Sequence, residues 1–129
     1  MSTLTICTGK LHRVYVTEAC LDYRGSITID PVLMEAANIL PFQLVHINSM
    51  SNAVHWETYV IPGPRGKGDI CLNGCPARLF QRGDQVIILS LEQMSREAAK
   101  TVEQKVVYVN EKNEITEVET KRAADYFTK

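Results

Sequence analysis

No apolar run in this chain approaches the roughly 18 residues that a membrane-spanning helix needs. Its first residues, Met1 to Thr8, lack the basic start and long apolar stretch of a signal peptide. Neither sign of charge dominates: 14 basic against 15 acidic residues leave a formal net charge of −1. That balance offers no electrostatic reason to expect nucleic acid or a membrane surface as a partner. The expectation is a cytoplasmic protein. Cysteine is scarce and poorly spaced for metal, since Cys7, Cys20, Cys71 and Cys75 contain no C-x-x-C pair. The spacing of His12, His46 and His55 does not repair that pattern, so reduced thiols and no metal are expected. Internal repeats, low-complexity tracts and linkers are missing as well.

What is present is enough for one ordinary core: 129 residues, 45% hydrophobic and 22% charged. Leu11 to Thr17, reading LHRVYVT, is β-rich, and Ser26 to Ile29 is a second short β run. Asp30-Pro31 is a helix start, with an aspartate able to cap free N–H groups and a proline tolerated in the first turn. It predicts a short helix over Pro31 to Asn38, with Leu33, Met34 and Ala37 facing the core. Further strands are expected at Gln43–Asn48, Val54–Ile61, Asp69–Leu72, Gln85–Leu91 and Lys105–Val109. Turn-rich pieces separate them, among them Asn73-Gly74 and Arg82-Gly83-Asp84. Ser95 to Gln104 reads as a short surface helix. Many short strands with one or two short helices predict a mainly β chain, closed or nearly closed as a barrel. The barrel domain is placed at 1–112 and a C-terminal surface tail at 113–129, helical around Lys121 to Phe127.

Chemistry is suggested by Tyr23-Arg24-Gly25-Ser26. A serine hydroxyl can attack the preceding carbonyl when a strained turn holds it close, converting amide to ester. A glycine before it removes the β-carbon that would obstruct the approach. Elimination across the serine α and β carbons then releases the upstream chain. The dehydroalanine left behind takes up water and loses ammonia, which leaves an N-terminal pyruvoyl group on a 104-residue piece of the 129-residue chain, beside a 25-residue piece. Such a group binds a substrate amine as a Schiff base and accepts the electrons released by decarboxylation. Gly-Ser alone is a common turn dipeptide. Its weight comes from its neighbours.

Those neighbours are GKLHRVYVT, LDYRGSITID, ETYVI, ICLNG and GDQVIIL, in that order. Together, from about Thr8 to Val109, they resemble the aspartate 1-decarboxylase family, self-processing pyruvoyl enzymes of pantothenate biosynthesis. The resemblance implies a double-psi β-barrel, a homotetramer with active sites at subunit interfaces, cleavage between Gly25 and Ser26, and decarboxylation of L-aspartate to β-alanine. It implies that Thr58 hydrogen-bonds the reacting carbonyl during cleavage, that Tyr59 reprotonates the carbanion, and that Lys10 meets a substrate carboxylate. Asn73 and Gly74 correspond to a pair beside the pyruvoyl group. His12 and Tyr23 match positions near the processing site, although His12 is equally a satisfied core or interface histidine. Read without the family, Lys10 is a solvated surface charge, Tyr59 a packed aromatic and Asn73-Gly74 a plain hairpin turn.

Two positions depart from the family pattern. Three residues before Thr58, where the family carries arginine, stands His55. Arginine grips a carboxylate with a permanently charged fork, whereas a neutral imidazole offers one donor and no charge. After Asn73-Gly74 come Cys75-Pro76 in place of small alanines, and the proline removes a backbone N–H. The processing residues are intact, so self-cleavage is expected, with or without a helper protein. For the substrate, aspartate leads, rescued by protonated His55 or by Arg13 or Arg78. A decarboxylase of another amino acid comes next, and a non-catalytic barrel last.

Overall fold

The computed structural model describes residues 2–23 and 25–127. Arg24 of the cleavage motif and residues 128–129 of the expected tail lie outside the described residues. The architecture is mainly β and barrel-like, as the sequence predicts, with nine strands and two short α-helices among the described residues. In chain order these are β1 (Thr3–Tyr15), β2 (Glu18–Cys20), β3 (Ser26–Ile29) and α1 (Pro31–Ala36). Next come β4 (Leu44–Ser49), β5 (His55–Pro62), β6 (Ile70–Asn73), β7 (Gln85–Ser95) and α2 (Arg96–Ala99). The last two strands are β8 (Glu103–Val109) and β9 (Ile115–Arg122).

The strands hydrogen-bond in the order β2-β6-β3-β5-β4-β7-β1-β8-β9. Pairs β1/β8, β2/β6 and β3/β5 are parallel, while β1/β7, β3/β6, β4/β5, β4/β7 and β8/β9 are antiparallel. Beyond the end of β1, Val16 N–H donates to Asp84 at 2.8 Å and Thr17 N–H to Ile70 at 2.8 Å. This brings the chain from one side of the sheet back to β6 on the other. The core fills from inward-facing strand positions: Leu11 and Val14 of β1, Ile27 and Ile29 of β3, Val45 and Ile47 of β4, Val60 of β5, Ile70 and Leu72 of β6, Val86 and Ile88 of β7. Each such side chain contributes about 1.5–3 kcal/mol on burial.

Helix α1 caps this core as expected, with Leu33, Met34 and Ala37 buried. The Asp30 carboxylate accepts from Val32 N–H at 2.9 Å, and also from Gly66 at 3.0 Å and Gly68 at 2.7 Å. Burial by itself pushes this carboxyl's pKa up. The N–H donors of Gly66, Val32 and Gly68, with Arg65 nearby, outweigh that and hold it below its ordinary value. Gly9 explains how the helix sits so near β1, since a β-carbon there would lie 1.6 Å from the Ala37 carbonyl oxygen.

Three expectations are corrected. Strand β1 starts at Thr3 rather than Leu11; Thr3 to Ile6 already alternates exposed and half-buried, but irregularities at Cys7/Gly9 and Leu11/Val14 interrupt the period. Strand β2 is too short to show in the sequence, and its pairing with β6 creates it. The segment after Asn113 lies at the surface, but as strand β9 along β8 rather than as a helix, ending in a 3₁₀ turn at Ala123–Tyr126. Asn113 itself is buried, donating to Tyr15 O and Gly68 O and accepting from Tyr15 N–H, each at 2.8 Å.

Candidate active site

Strand β3 opens on Ser26, which is 4% exposed. It runs between β6, where Ser26 opposes Asn73, and β5. Asn73 is buried too, and its Nδ2 donates to Thr28 Oγ1 at 3.0 Å and to Ser26 Oγ at 3.4 Å. Next to it, Gly74 has φ +78° and ψ −137°, a conformation that is close to glycine-only. Its N–H donates to Cys20 O at 2.9 Å. A β-carbon on Gly74 would meet Gly25 Cα at 2.8 Å and Gly25 N at 3.0 Å. Two glycine backbones therefore lie against each other just before the Gly25–Ser26 peptide, leaving no space for a side chain on Gly74.

A small cavity of about 180 Å³ opens beside this junction, lined by Glu18, Cys20, Tyr23, Thr28, Cys71 and Asn73. Tyr23 is 68% exposed at its rim. Burial pushes the Cys71 thiol above its ordinary pKa, partly offset by a contact with the Thr17 hydroxyl, so Cys71 is not a thiolate nucleophile.

On the other side, β3 and β5 pair in parallel with Ile27 beside Val60. Thr58 and Tyr59 precede Val60 on β5, as Gly25 and Ser26 precede Ile27 at the start of β3. Alternation along β5 then separates two roles. Thr58 opposes the buried Val45 and sits on the core side, whereas Tyr59 opposes Leu44 and is 40% exposed. Gly25, Ser26, Asn73 and Gly74 thus meet within one chain, with Thr58 and Tyr59 on the neighbouring strand β5.

Lys10 and His55 do not join them. Lys10 lies on β1, four strands from β3 in the sheet order. The register runs from Lys10 through Leu89 and His46 to Glu57, one row on the outer face. His55 begins β5, about 13 Å along the strand from Tyr59. Its Nδ1 is 2.7 Å from Asn48 Oδ1 and its Nε2 is 2.8 Å from Glu57 Oε2. The hydrogen bond from His55 holds the Glu57 carboxyl below its ordinary pKa, with weaker help from the nearby His46 and His55 charges against partial burial. His12 stacks edge-on to Tyr108 at 5.4 Å. Burial first, then Lys10 and Arg13, lower its pKa and favour the neutral ring.

Sequence reasoning missed Thr28, Glu18 and Cys20, which reach the cavity only because β2 and β3 both pair with β6. It also missed the grouping of His55 with Glu57. The period of two in His55-Trp56-Glu57-Thr58-Tyr59 puts His55, Glu57 and Tyr59 on one face, a signal that was available.

Comparison with known proteins bears on the same residues. The family model described as aspartate decarboxylase matches residues 2–116. A protein of Bacillus subtilis (strain 168) named aspartate 1-decarboxylase is 51% identical over 114 residues, covering 88% of this chain and 90% of its own. A namesake from Pelotomaculum thermopropionicum is 53% identical over 115 residues, 89% of this chain and 87% of its own. One from Dehalococcoides mccartyi (strain ATCC BAA-2266 / KCTC 15142 / 195) is 50% identical over 110 residues, 85% and 89% respectively.

Proposed function

The chain belongs to the aspartate decarboxylase family of enzymes, and from that premise we propose that it decarboxylates L-aspartate to β-alanine and CO₂ in the cytoplasm. In this reading it first cuts itself between Gly25 and Ser26, and Ser26 becomes a covalent pyruvoyl group. The observation that carries the reading is the junction itself. A buried serine hydroxyl lies beside the Asn73 amide, and Gly74 presses on the backbone of the residue to be cut. Packing of this kind limits the freedom of the scissile segment and so favours intramolecular attack.

The residues present fit a small ketone at position 26. It would be shielded from solvent at the head of β3, with Asn73 Nδ2 as a ready donor. When formed, the pyruvoyl group supplies the electron sink that lets an amine-bearing substrate lose its α-carboxylate. In this reading Thr58, on the neighbouring strand β5, hydrogen-bonds the Gly25 carbonyl during cleavage. Tyr59 presents its phenol on the half-exposed face of β5 and returns a proton to carbon. Lys10 supplies positive charge for the second carboxylate of aspartate. In this reading it does so within a homotetramer whose active sites lie at subunit interfaces. The exposed apolar residues Leu40, Phe42 and Leu44 support such an association, being 70%, 72% and 54% accessible.

Denaturing intact-mass measurement tests the reading. Pieces of 25 and 104 residues, the larger blocked by a pyruvoyl group, are expected from the 129-residue chain, and Ser26→Ala should yield one uncut, inactive chain. Turnover by Ser26→Ala would end the proposal. An uncut wild-type chain calls for repetition with a helper protein from the source cell. A second reading, a different amino acid as substrate, is favoured by one observation: His55 stands where arginine is expected and its ring is held by Asn48 and Glu57. A panel of amino acids assayed for CO₂ release decides between them.

A further inference from the structure

A cluster on the outer sheet face takes no part in the bond-making steps above. His46 on β4 directly opposes Glu57 on β5, and Asn48 opposes His55 in the next outward-facing row. His46 Nε2 lies 3.4 Å from Glu57 Oε1, and His55 Nε2 lies 2.8 Å from Glu57 Oε2. The two imidazoles pack edge to face with centroids 5.1 Å apart. One ligand atom from each of the three side chains falls within 4.8 Å of the others. We propose that His46, His55 and Glu57 form a divalent-cation site suited to Zn²⁺.

The geometry fits a metal more closely than chance proximity requires. Zinc bonds to nitrogen and carboxylate oxygen at about 2.0–2.2 Å, which sets ligand–ligand edges near 3.4 Å in a tetrahedron. The His46–Glu57 edge already has that length. The shorter His55–Glu57 contact is a hydrogen bond that opens when the shared proton gives way to the ion. The His46 and His55 ligand atoms lie within 4.8 Å of each other, an edge that side-chain rotation has to close. His55 is also oriented from behind: Asn48 Oδ1 lies 2.7 Å from Nδ1 and can accept a proton there once Nε2 gives up its own proton to the ion and turns its lone pair to the metal. Such outer partners fix tautomer and ring direction in metal-binding histidines. Paired strands, stiffer than loops, carry all four residues.

Ligand chemistry selects the ion. Two imidazoles and one carboxylate suit zinc and its neighbours in the first transition row, whereas calcium and magnesium take oxygen ligands. Half-exposed, the cluster is open to solvent, so three protein ligands leave a fourth position for water or for the carboxylate of a small molecule. The cation in the same sheet row is Lys10, with Leu89 between it and His46.

Isothermal titration of the full-length protein with ZnCl₂ at pH 7.5 tests this, alongside Co²⁺ absorption spectra. One ion per chain is expected, with a Kd of about micromolar or tighter. His46→Gln and Glu57→Gln should each weaken it at least 30-fold, while Cys75→Ser changes nothing. Cobalt should show visible bands without strong thiolate charge transfer. Binding weaker than millimolar, binding unchanged in His46→Gln, or a thiolate band lost in Cys75→Ser would each overturn the site. Crystals soaked in ZnCl₂ give a check independent of how the variants fold. An anomalous peak among the three side chains supports the site, and a peak only elsewhere refutes it. Neither readout depends on self-cleavage or turnover.

Discussion

Replacing Gly74 by alanine isolates the contact on which self-cleavage is argued to depend. Two costs can be separated. The first is conformational: φ +78° with ψ −137° is a region that L residues occupy at about 1–3 kcal/mol. The second is steric. The new methyl would stand 2.8 Å from Gly25 Cα and 3.0 Å from Gly25 N, backbone atoms that cannot rotate away. Relief must come from moving Gly25, and with it the carbonyl that Ser26 would attack in the proposed cleavage. If about 2–3 kcal/mol of this strain persists in the attack geometry, processing slows roughly 30- to 150-fold. Gly83→Ala is the control, because φ there is +92° but a β-carbon meets nothing within 4 Å. Each variant is followed by intact mass against time after purification, with urea unfolding in parallel. Slow cutting in Gly74→Ala, near-normal cutting in Gly83→Ala and a folded baseline in both are expected. Wild-type processing of Gly74→Ala would refute the idea that glycine-on-glycine packing positions the scissile bond.

Three further outcomes follow from the same geometry. Tyr59→Phe should process normally yet release CO₂ about 10²- to 10⁴-fold more slowly, since only the phenolic proton is lost; equal loss of processing would show a structural role. Asp30→Asn replaces one accepting oxygen with a donor among three N–H groups, one of them at 2.7 Å, and should cost about 2–4 kcal/mol by urea unfolding. The folded-state pKa of Asp30 is depressed, so its contribution is complete above the ordinary carboxylate range and disappears as pH falls through the folded value. Asp30→Asn should therefore flatten the acid limb of a stability–pH curve, and an unchanged limb would exclude this carboxylate as its source. His12 also has a lowered folded pKa, so stability should fall as pH drops below its unperturbed 6.5. His12→Gln should remove part of that slope between pH 7 and 5, and an unaltered slope would place it elsewhere.

Local chemistry made much of this protein legible in advance. β-Rich runs bounded by turn residues identified β3, β4, β5, β6, β7 and β8 within a few residues, because branched and aromatic side chains suit a pleated, half-buried surface and Gly, Pro and Asn suit the turns between. Asp30-Pro31 marked α1 for the same reason that it caps it: a carboxylate for the free N–H groups and a ring that fits the first turn. Gly25-Ser26, Thr58-Tyr59 and Asn73-Gly74, each ordinary alone, gained a chemical reading only through their joint resemblance to the aspartate 1-decarboxylase family. Asn113 was not, since its worth lies in hydrogen bonds to Tyr15 and Gly68, far off in sequence.

Tertiary structure decided the rest. That β3 runs between β6 and β5 follows from pairing with residues 33 positions away on β5 and 41 to 47 away on β6, and this alone puts Asn73 against Ser26 and Val60 beside Ile27. The same pairing logic left Lys10 four strands away and locked His55 to Glu57 and Asn48, neither of which spacing along the chain expresses. It also set His46 opposite Glu57, turning three residues with no metal-like spacing into a cluster of ligand geometry. A sequence records which groups are available and which face of an element each occupies. Which faces meet is settled by long-range pairing, whose energy comes from burying the strands together and is written in no single segment.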